Sequence, residues 1–272
     1  RLMRLRYDFL VLAGGARGSR DLIRPGRDLA GIHMATDYLS AQNRVISGEL
    51  DRLPAEFNSQ GGSIVVIGGG DTGSDCVGTA WRQGAREVTQ IEIMPQPPLT
   101  RAEDNPWPMW PRLLRTTSSH EEGGRRLWNI DTLEFLRSSR ELGRVGGLVI
   151  REVDWLKEDG RPVRPEPVAG TESRLEADLV LLALGFTGIE DSPLWAALDL
   201  KPTRQGTLPR DHGGRLASEP GGGGNSRNNQ PDGSGVRTYA CGDAAIGPSL
   251  VVRAIADGLN VAETLIKDHS AD

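Results

Sequence analysis

The stretch Ser63-Ile64-Val65-Val66-Ile67-Gly68-Gly69-Gly70-Asp71-Thr72-Gly73 constrains the fold of this chain more than any other. Four β-branched residues in a row favour a strand, glycines at 68, 70 and 73 interrupt it, and a helix-like segment runs on to Gln83. Strand, tight turn and helix in that order are the context in which a GxGxxG spacing marks a dinucleotide site. Gly68 permits the sharp turn, Gly70 lets a pyrophosphate approach the backbone, and Gly73 lets helix and strand pack closely. Phosphates would then lie on unpaired N–H groups at the positive end of the helix. The candidate contacts are Gly68, Gly69, Gly70, Asp71, Thr72 and Gly73. The bland alternative is a Gly-rich βα turn that binds nothing.

A chain of 272 residues holds one large domain or two ordinary ones. The net charge is −5 and the basic residues are scattered, so nucleic acid is not an expected partner. No apolar run approaches the roughly 20 residues of a membrane-spanning helix. The Arg1–Arg6 start has neither the apolar core nor the cleavage site of a signal peptide, so no targeting segment is visible and a cytoplasmic location is expected. In a eukaryote, a plastid or mitochondrion is the alternative.

Cys76 and Cys241 are the only cysteines. Two thiolates cannot hold a cluster that takes four, and there is no Cys-x-x-Cys pair, so both read as small buried apolar residues. Electron-transfer chemistry must therefore rest on a bound organic cofactor. His33, His120, His212 and His269 fall into no metal-ligand or triad pattern and read as surface residues. No residue is nominated as catalytic, and no metal site is expected.

Taken in order, Tyr7–Gly15 reads as an apolar strand ending in a glycine turn. It starts so near residue 1 that its sheet neighbours must come from elsewhere, and the sequence reads as a fragment. Ile32 to Arg44 reads as a short helix and residues 51–62 as a polar connector. After the glycine turn, Val77, Ala80 and Trp81 have core-facing spacing, and Gly84 stands where a helix stop is expected. Val88–Ile93 is the next strand. Its Glu92 lies about where an acidic residue grips the adenosine ribose, the alternative being a strand carboxylate that faces solvent. No Arg lies between Val88 and Gln96, which favours NADH over NADPH. Arg86 and Arg101 flank the strand, and Arg101 is kept as a cofactor-binding candidate. The proline-rich stretch 95–112 excludes helix and central strand alike. Its Trp107 and Trp110 suit either a docking surface or a loop packed on its own domain.

Gly146–Leu156 and Arg161–Val168 read as an antiparallel hairpin, and Asp178–Phe186 as a strand covered on both faces, with Gly185 at its end a further cofactor-binding candidate. Residues 205–235 read as a mobile loop. Val236–Asp243 is a short strand that delivers Gly242 and Asp243 at its carboxyl end, where a carboxylate could accept hydrogen bonds from a polyol such as a flavin ribityl chain. Asp243 is equally readable as a turn or helix-start aspartate. Ser249–Lys267 reads as a helix with one apolar stripe, Val251, Ala254, Ile255, Gly258, Val261, Ala262 and Leu265.

With these residues in view, Ile64–Arg112, Asp178–Phe186 and Ala240–Gly258 together resemble the small subunit, or fused C-terminal portion, of glutamate synthase, as an N-terminally incomplete fragment. The Gly-Gly-Gly-Asp-Thr-Gly loop is shared with relatives such as dihydropyrimidine dehydrogenase. Met94-Pro95-Gln96-Pro97-Pro98 and Asn105-Pro106-Trp107-Pro108 are more particular to glutamate synthase.

The resemblance implies an α/β fold of two nested Rossmann-like dinucleotide-binding domains of disulfide-reductase type, the FAD domain incomplete. Residues 1–61 would be the end of the first FAD segment and a linker, 62–185 the NAD(P)H domain and 186–272 the returning FAD segment. Hydride would pass from NAD(P)H to FAD, then as single electrons through iron–sulfur clusters to FMN in the large subunit, where 2-oxoglutarate and glutamine-derived ammonia become L-glutamate. Gly242 and Asp243 would carry the ribityl contact, and Ser249, Leu250 and Val251 the flavin-proximal helix start. Clusters and FMN would belong to missing or partner regions. The chain departs from the family in lacking its cysteine-rich domain and first FAD glycine loop, in Arg253 and in the longer 205–235 loop. The rival functions are a non-catalytic nucleotide-binding or docking module, and a related FAD-dependent reductase with another acceptor, dihydropyrimidine dehydrogenase-like or ferredoxin-linked.

Overall fold

The computed structural model describes residues 7–109, 111–158, 161–198, 200–216 and 237–270. Among these the strands are β1 (Phe9–Leu12), β2 (Gly18–Ser19), β3 (Ile32–Met34), β4 (Ser63–Ile67), β5 (Glu87–Ile91), β6 (Arg125–Leu127), β7 (Ile130–Arg137), β8 (Val145–Glu158), β9 (Arg161–Pro167), β10 (Ser173–Glu176), β11 (Leu179–Leu182), β12 (Phe186–Gly188) and β13 (Arg237–Ala240). The helices are α1 (Ala35–Ile46), α2 (Asp71–Arg82), α3 (Ser118–Glu121), α4 (Pro193–Ala197), α5 (Asp243–Ile246) and α6 (Val251–Ser270). The fold is α/β, and residues 21–185 form one compact unit inserted into another made of 1–20 and 186–272.

The inserted unit is built on a parallel sheet in the order β3-β11-β4-β5-β6. Every residue of the central strand β4 is buried. Ile64 and Val66 pack against Tyr38 of α1 and Cys76, Val77 and Ala80 of α2. Val65 and Ile67 face the other way, onto Phe135, Leu148 and Ile150 of the antiparallel sheet β10-β8-β7. Alternating side chains of one strand thus serve two cores, which is why the sequence there is apolar without interruption. Each such side chain contributes about 1.5–3 kcal/mol by leaving water.

Two expectations change here. Ile32–Met34 is a strand, not the start of a helix: Ile32 and His33 fill the slot beside Val180 and Leu181 of β11, and α1 begins at Ala35 after an extended Met34. Tertiary pairing decides this, since the isolated segment has helical spacing. The boundary expected between residues 61 and 62 consequently falls inside a packed unit, because β3 and α1 share its sheet and core. Arg24 is tied in as well, donating to Asp131 of β7 at 3.1 Å, which also accepts from Arg151 at 3.0 Å.

In the other unit β1 and β13 pair in parallel, Leu12 beside Ala240, and β2 pairs with β12 in antiparallel fashion. Leu12, Leu198, Leu200, Leu208, Ala240 and Ala244 form its core. Of the apolar stripe expected on α6 only Val261 is buried, while Val251 and Ile255 are 74% and 57% exposed. The part of the expected mobile loop from 217 to 235 lies outside the described residues. Residues 205–216 are held down by the buried Leu208 and by Arg215, whose Nη2 bonds Asp268 at 2.5 Å. Among the described residues no helix is long and apolar enough to cross a membrane.

Candidate functional site

The turn after β4 lies where the sheet order reverses, between β4 and β11. Gly68 adopts φ +123°, and its N–H continues the ladder to the Ile91 carbonyl at 2.8 Å. A Cβ there would lie 2.2 Å from the Ala183 carbonyl oxygen, and one on Gly73 would lie 2.3 Å from the Gly68 oxygen. The packing of the chain on itself therefore demands both glycines. Gly70 differs. It caps α2 with φ −79°, and an added Cβ would meet nothing within 4 Å. Nothing in the chain's own packing calls for glycine at 70, and a bare backbone there leaves room for an approaching group. The Gly70 cap offers no side-chain acceptor to the first N–H groups of α2, where Asp71, Thr72 and Gly73 lie, so these amides are suited to an anion.

A cavity of about 200 Å³ lies against this turn, and Gly69, Gly70, Asp71, Ser74 and Glu92 line it. Glu92, the residue expected at the ribose, lines this cavity, and its carboxylate braces the loop. Its Oε2 accepts from the Gly69 N–H at 2.5 Å and its Oε1 from the Met94 N–H at 3.0 Å. Met94, Pro95, Leu113 and Leu114 supply an apolar wall suited to a flat base.

The two flanking arginines lie apart from the cavity lining. Arg101 Nη1 bonds the carbonyls of Asn105 and Met109, both at 3.0 Å, and so stiffens the proline-rich loop. Arg86, at the other end of β5, donates to Ser63 Oγ at 2.7 Å. Gly185 follows β11 with φ +80° and is likewise not part of the lining. The cations that do line it are Arg115 and Arg126, which the sequence reading missed. Arg126 stands on β6 beside Gln90 of β5, with its guanidinium 5.0 Å from the Trp128 ring centre. Recognising Arg125–Leu127 as the next parallel strand would have revealed it.

His120, expected at the surface, is half-buried in the same wall. Its Nε2 lies 2.9 Å from Gln90 Oε1 and its Nδ1 3.1 Å from Thr117 Oγ1. Burial first, and then the nearby Arg126, push its pKa below the ordinary value. Cys76 is buried in the core as expected, and burial pushes its thiol up.

The second candidate site belongs to the other unit. Gly242 turns with φ +63° and caps the short α5, and Asp243 Oδ1 accepts from Ser249 Oγ at 2.6 Å. Leu250 and Val251 are exposed at the start of α6. The brace beneath is Asp257, whose Oδ2 accepts the Gly242 N–H at 2.8 Å and whose Oδ1 pairs with Arg210 at 2.6 Å. Both side chains of the pair are nearly buried, 13% and 12% exposed. The sequence reading missed them, although an acid within the apolar stripe of α6 was the available signal. Cys241 is half-buried rather than buried, and burial beside Asp257 pushes its thiol up. Among the described residues no group of three or more His, Cys, Asp or Glu could hold a metal ion.

No protein-family model matches the chain. It is 42% identical over 260 residues to the glutamate synthase [NADPH] small chain of Mycobacterium tuberculosis, covering 94% of this chain and 48% of that one. It is 32% identical over 273 residues to the glutamate synthase [NADH] of Saccharomyces cerevisiae, covering 96% of this chain and 12% of that one. The chain thus spans about half the length of the curated small chain it matches. Among solved structures, FprA of M. tuberculosis in complex with NADPH aligns with a TM-score of 0.65 at 19% identity, over 99% of this chain and 65% of that one. A NAD-dependent persulfide reductase from A. fulgidus aligns with a TM-score of 0.55 at 20% identity, over 95% and 39%. These likenesses establish the Rossmann-type fold of nested units. By sequence, the chain is a homologue of about half of the glutamate synthase small chain.

Proposed function

We propose that the chain is the electron-input part of a glutamate synthase, accepting hydride from NAD(P)H onto FAD for reductive synthesis of L-glutamate from glutamine and 2-oxoglutarate. The observation that carries this is the contrast at the glycine turn. The chain's own packing explains Gly68 and Gly73, whereas Gly70 is explained by a ligand. NAD(P)H would lie with its pyrophosphate on the Asp71, Thr72 and Gly73 amides at the start of α2 and its ribose at Glu92. The Glu92 carboxylate favours a 2′-hydroxyl and hence NADH, while Arg115 and Arg126 are the groups that would receive a 2′-phosphate. Gly242 and Asp243 would hold the flavin ribityl chain, with Ser249, Leu250 and Val251 at the flavin-facing helix start. Bound flavin supplies the two-electron acceptor. The protein's part is to bind, orient and shield, and no side chain need transfer a proton in that step. The large subunit would be the partner and the cytoplasm the location.

An absorbance scan of the purified chain followed by anaerobic NADH titration tests this reading. A yellow protein that bleaches supports it, and glutamine-dependent glutamate formation after addition of the large subunit identifies the acceptor. A colourless protein that still binds NADH favours the second reading, a nucleotide-binding docking module. That reading draws on Trp107, which is 83% exposed on a loop stiffened by Arg101 and by Arg112 N–H donating to Asn105 Oδ1 at 2.7 Å. Trp110 lies outside the described residues.

A further inference from the structure

Strand pairing gathers two opposite charges on one face of the parallel sheet. Side chains alternate along β5 and its continuation, so Gln90 and Glu92 share a face, and Arg126 of β6, which stands beside Gln90, shares it with them. Gln90 Nε2 donates to the Gly68 carbonyl at 2.8 Å, so this is the face that carries the glycine turn. Glu92 and Arg126 thus line the same cavity from neighbouring strands, near the carboxyl ends where ligands of open α/β sheets lie.

Their charges are not spent alike. The Glu92 carboxylate is shared between two backbone donors, the Gly69 N–H at 2.5 Å on Oε2 and the Met94 N–H at 3.0 Å on Oε1. Each oxygen keeps a second acceptor position, so a ribose hydroxyl can still bond it. The two N–H dipoles meanwhile offset part of the field that would repel an anion nearby. The other carboxylate of the lining, Asp71, opens α2 beside the amides assigned to the pyrophosphate.

Arg126 is the converse case. It is half-buried, its Nη1 donates to the Arg115 carbonyl at 3.0 Å, and its guanidinium lies 5.0 Å from the centre of the Trp128 ring. Contact with the ring uses none of its N–H groups. Among the described residues it has no carboxylate partner. A guanidinium stays charged, and one held partly out of water without a counter-ion gains from an anion that reaches it. Its planar fork of donors matches a phosphate.

Building on the nucleotide reading above, we propose that this pocket takes both coenzymes, with Arg126 the specificity-determining residue that receives the 2′-phosphate of NADPH and Glu92 the group that serves the 2′-hydroxyl of NADH.

ADP-ribose and 2′-phospho-ADP-ribose differ only in the group at issue and are the probes. Each is titrated calorimetrically into the whole chain at about pH 8, where the 2′-phosphate carries its second charge. In the unsubstituted protein the two affinities should lie within about tenfold of each other. Arg126→Gln should weaken 2′-phospho-ADP-ribose about tenfold more than it weakens ADP-ribose, as for the loss of a charged hydrogen bond. Arg126→Lys, which keeps a cation without the fork, should fall between the two and serves if the Gln variant does not fold. A loss of packing alone would lower both affinities together, so the ratio is the readout. If the unsubstituted chain binds the 2′-phosphorylated probe more than about tenfold more weakly than ADP-ribose, the carboxylate decides alone and the proposal falls. It falls equally if neither substitution moves the ratio. Both results leave nucleotide binding intact, whereas failure of either probe to bind overturns the nucleotide reading as well.

Discussion

The turns at Gly68 and at Gly242 both place a glycine at the end of a parallel strand, yet they are locked by different forces. At Gly68 the lock is steric: backbone meets backbone at Ala183 and Gly73, with no room for a methyl group. At Gly242 an added Cβ would come no nearer than 3.7 Å to Ala254, and the lock is a carboxylate paired with a nearly buried guanidinium. Contact repulsion is indifferent to pH and salt, whereas a carboxylate brace weakens when it is protonated. The surroundings follow the same division. β4 is buried along its whole length, while α6 exposes most of its apolar residues.

The largest effect is expected at the steric lock. Gly68→Ala combines a disfavoured φ with a backbone collision and should cost about 4 kcal/mol, read by urea unfolding. Asp257→Ala leaves Arg210 buried without its partner and the Gly242 N–H without its acceptor, and should cost about 3 kcal/mol. If Asp257→Ala proves neutral, the electrostatic account of the second turn is wrong. Gly70→Val, in the first turn but outside its lock, should alter stability by less than about 1 kcal/mol while weakening NAD(P)H binding by about 2 kcal/mol. An unchanged dissociation constant would remove the nucleotide from this turn.

Charge dependence in the second unit is checked at Asp268, whose pKa is held down to about 2, chiefly by its hydrogen bond with Arg215 and then by that with Tyr239. A depressed carboxylate stabilises the fold above its unfolded value and ceases to do so as pH falls from about 4 to about 2. Asp268→Asn should therefore cost about 1 kcal/mol at neutral pH and almost nothing at the acid end of that window, as followed by thermal unfolding. The smallest effect is expected at Glu92. Replacement by Ala should weaken NADH by about 1 kcal/mol and NADPH by less. Equal losses would leave Glu92 as a brace for Gly69 and nothing more.

Much of the inserted unit was legible because its signals are local. Ile64–Ile67 is β-branched and continuously apolar, and its glycines fall at turn positions. Gly84 stands just past α2 with φ +86°, as its place in the sequence implied. The hairpin of β8 and β9 was announced by alternation on either side of Glu158-Asp159-Gly160. What could not be read is non-local. Ile32–Met34 looks helical until β11 is beside it. Arg126 reaches the cavity only because β6 lies next to β5. His120 stays an ordinary polar residue until Gln90 and Thr117 converge on it. Asp257 was in plain view on α6, but its partner Arg210 lies 47 positions away. The apolar stripe of α6 was the opposite error, a correct helix whose sequence pattern does not by itself say which face is covered.

The pairing of β1 with β13 has a consequence for synthesis of the chain. Phe9–Leu12 leaves the ribosome more than two hundred residues ahead of its partner Arg237–Ala240. The inserted unit, whose own sheet needs nothing beyond Gly185, can close in the meantime. Until then Phe9–Leu12 lacks this partner, and its apolar side chains invite wrong ones over that interval.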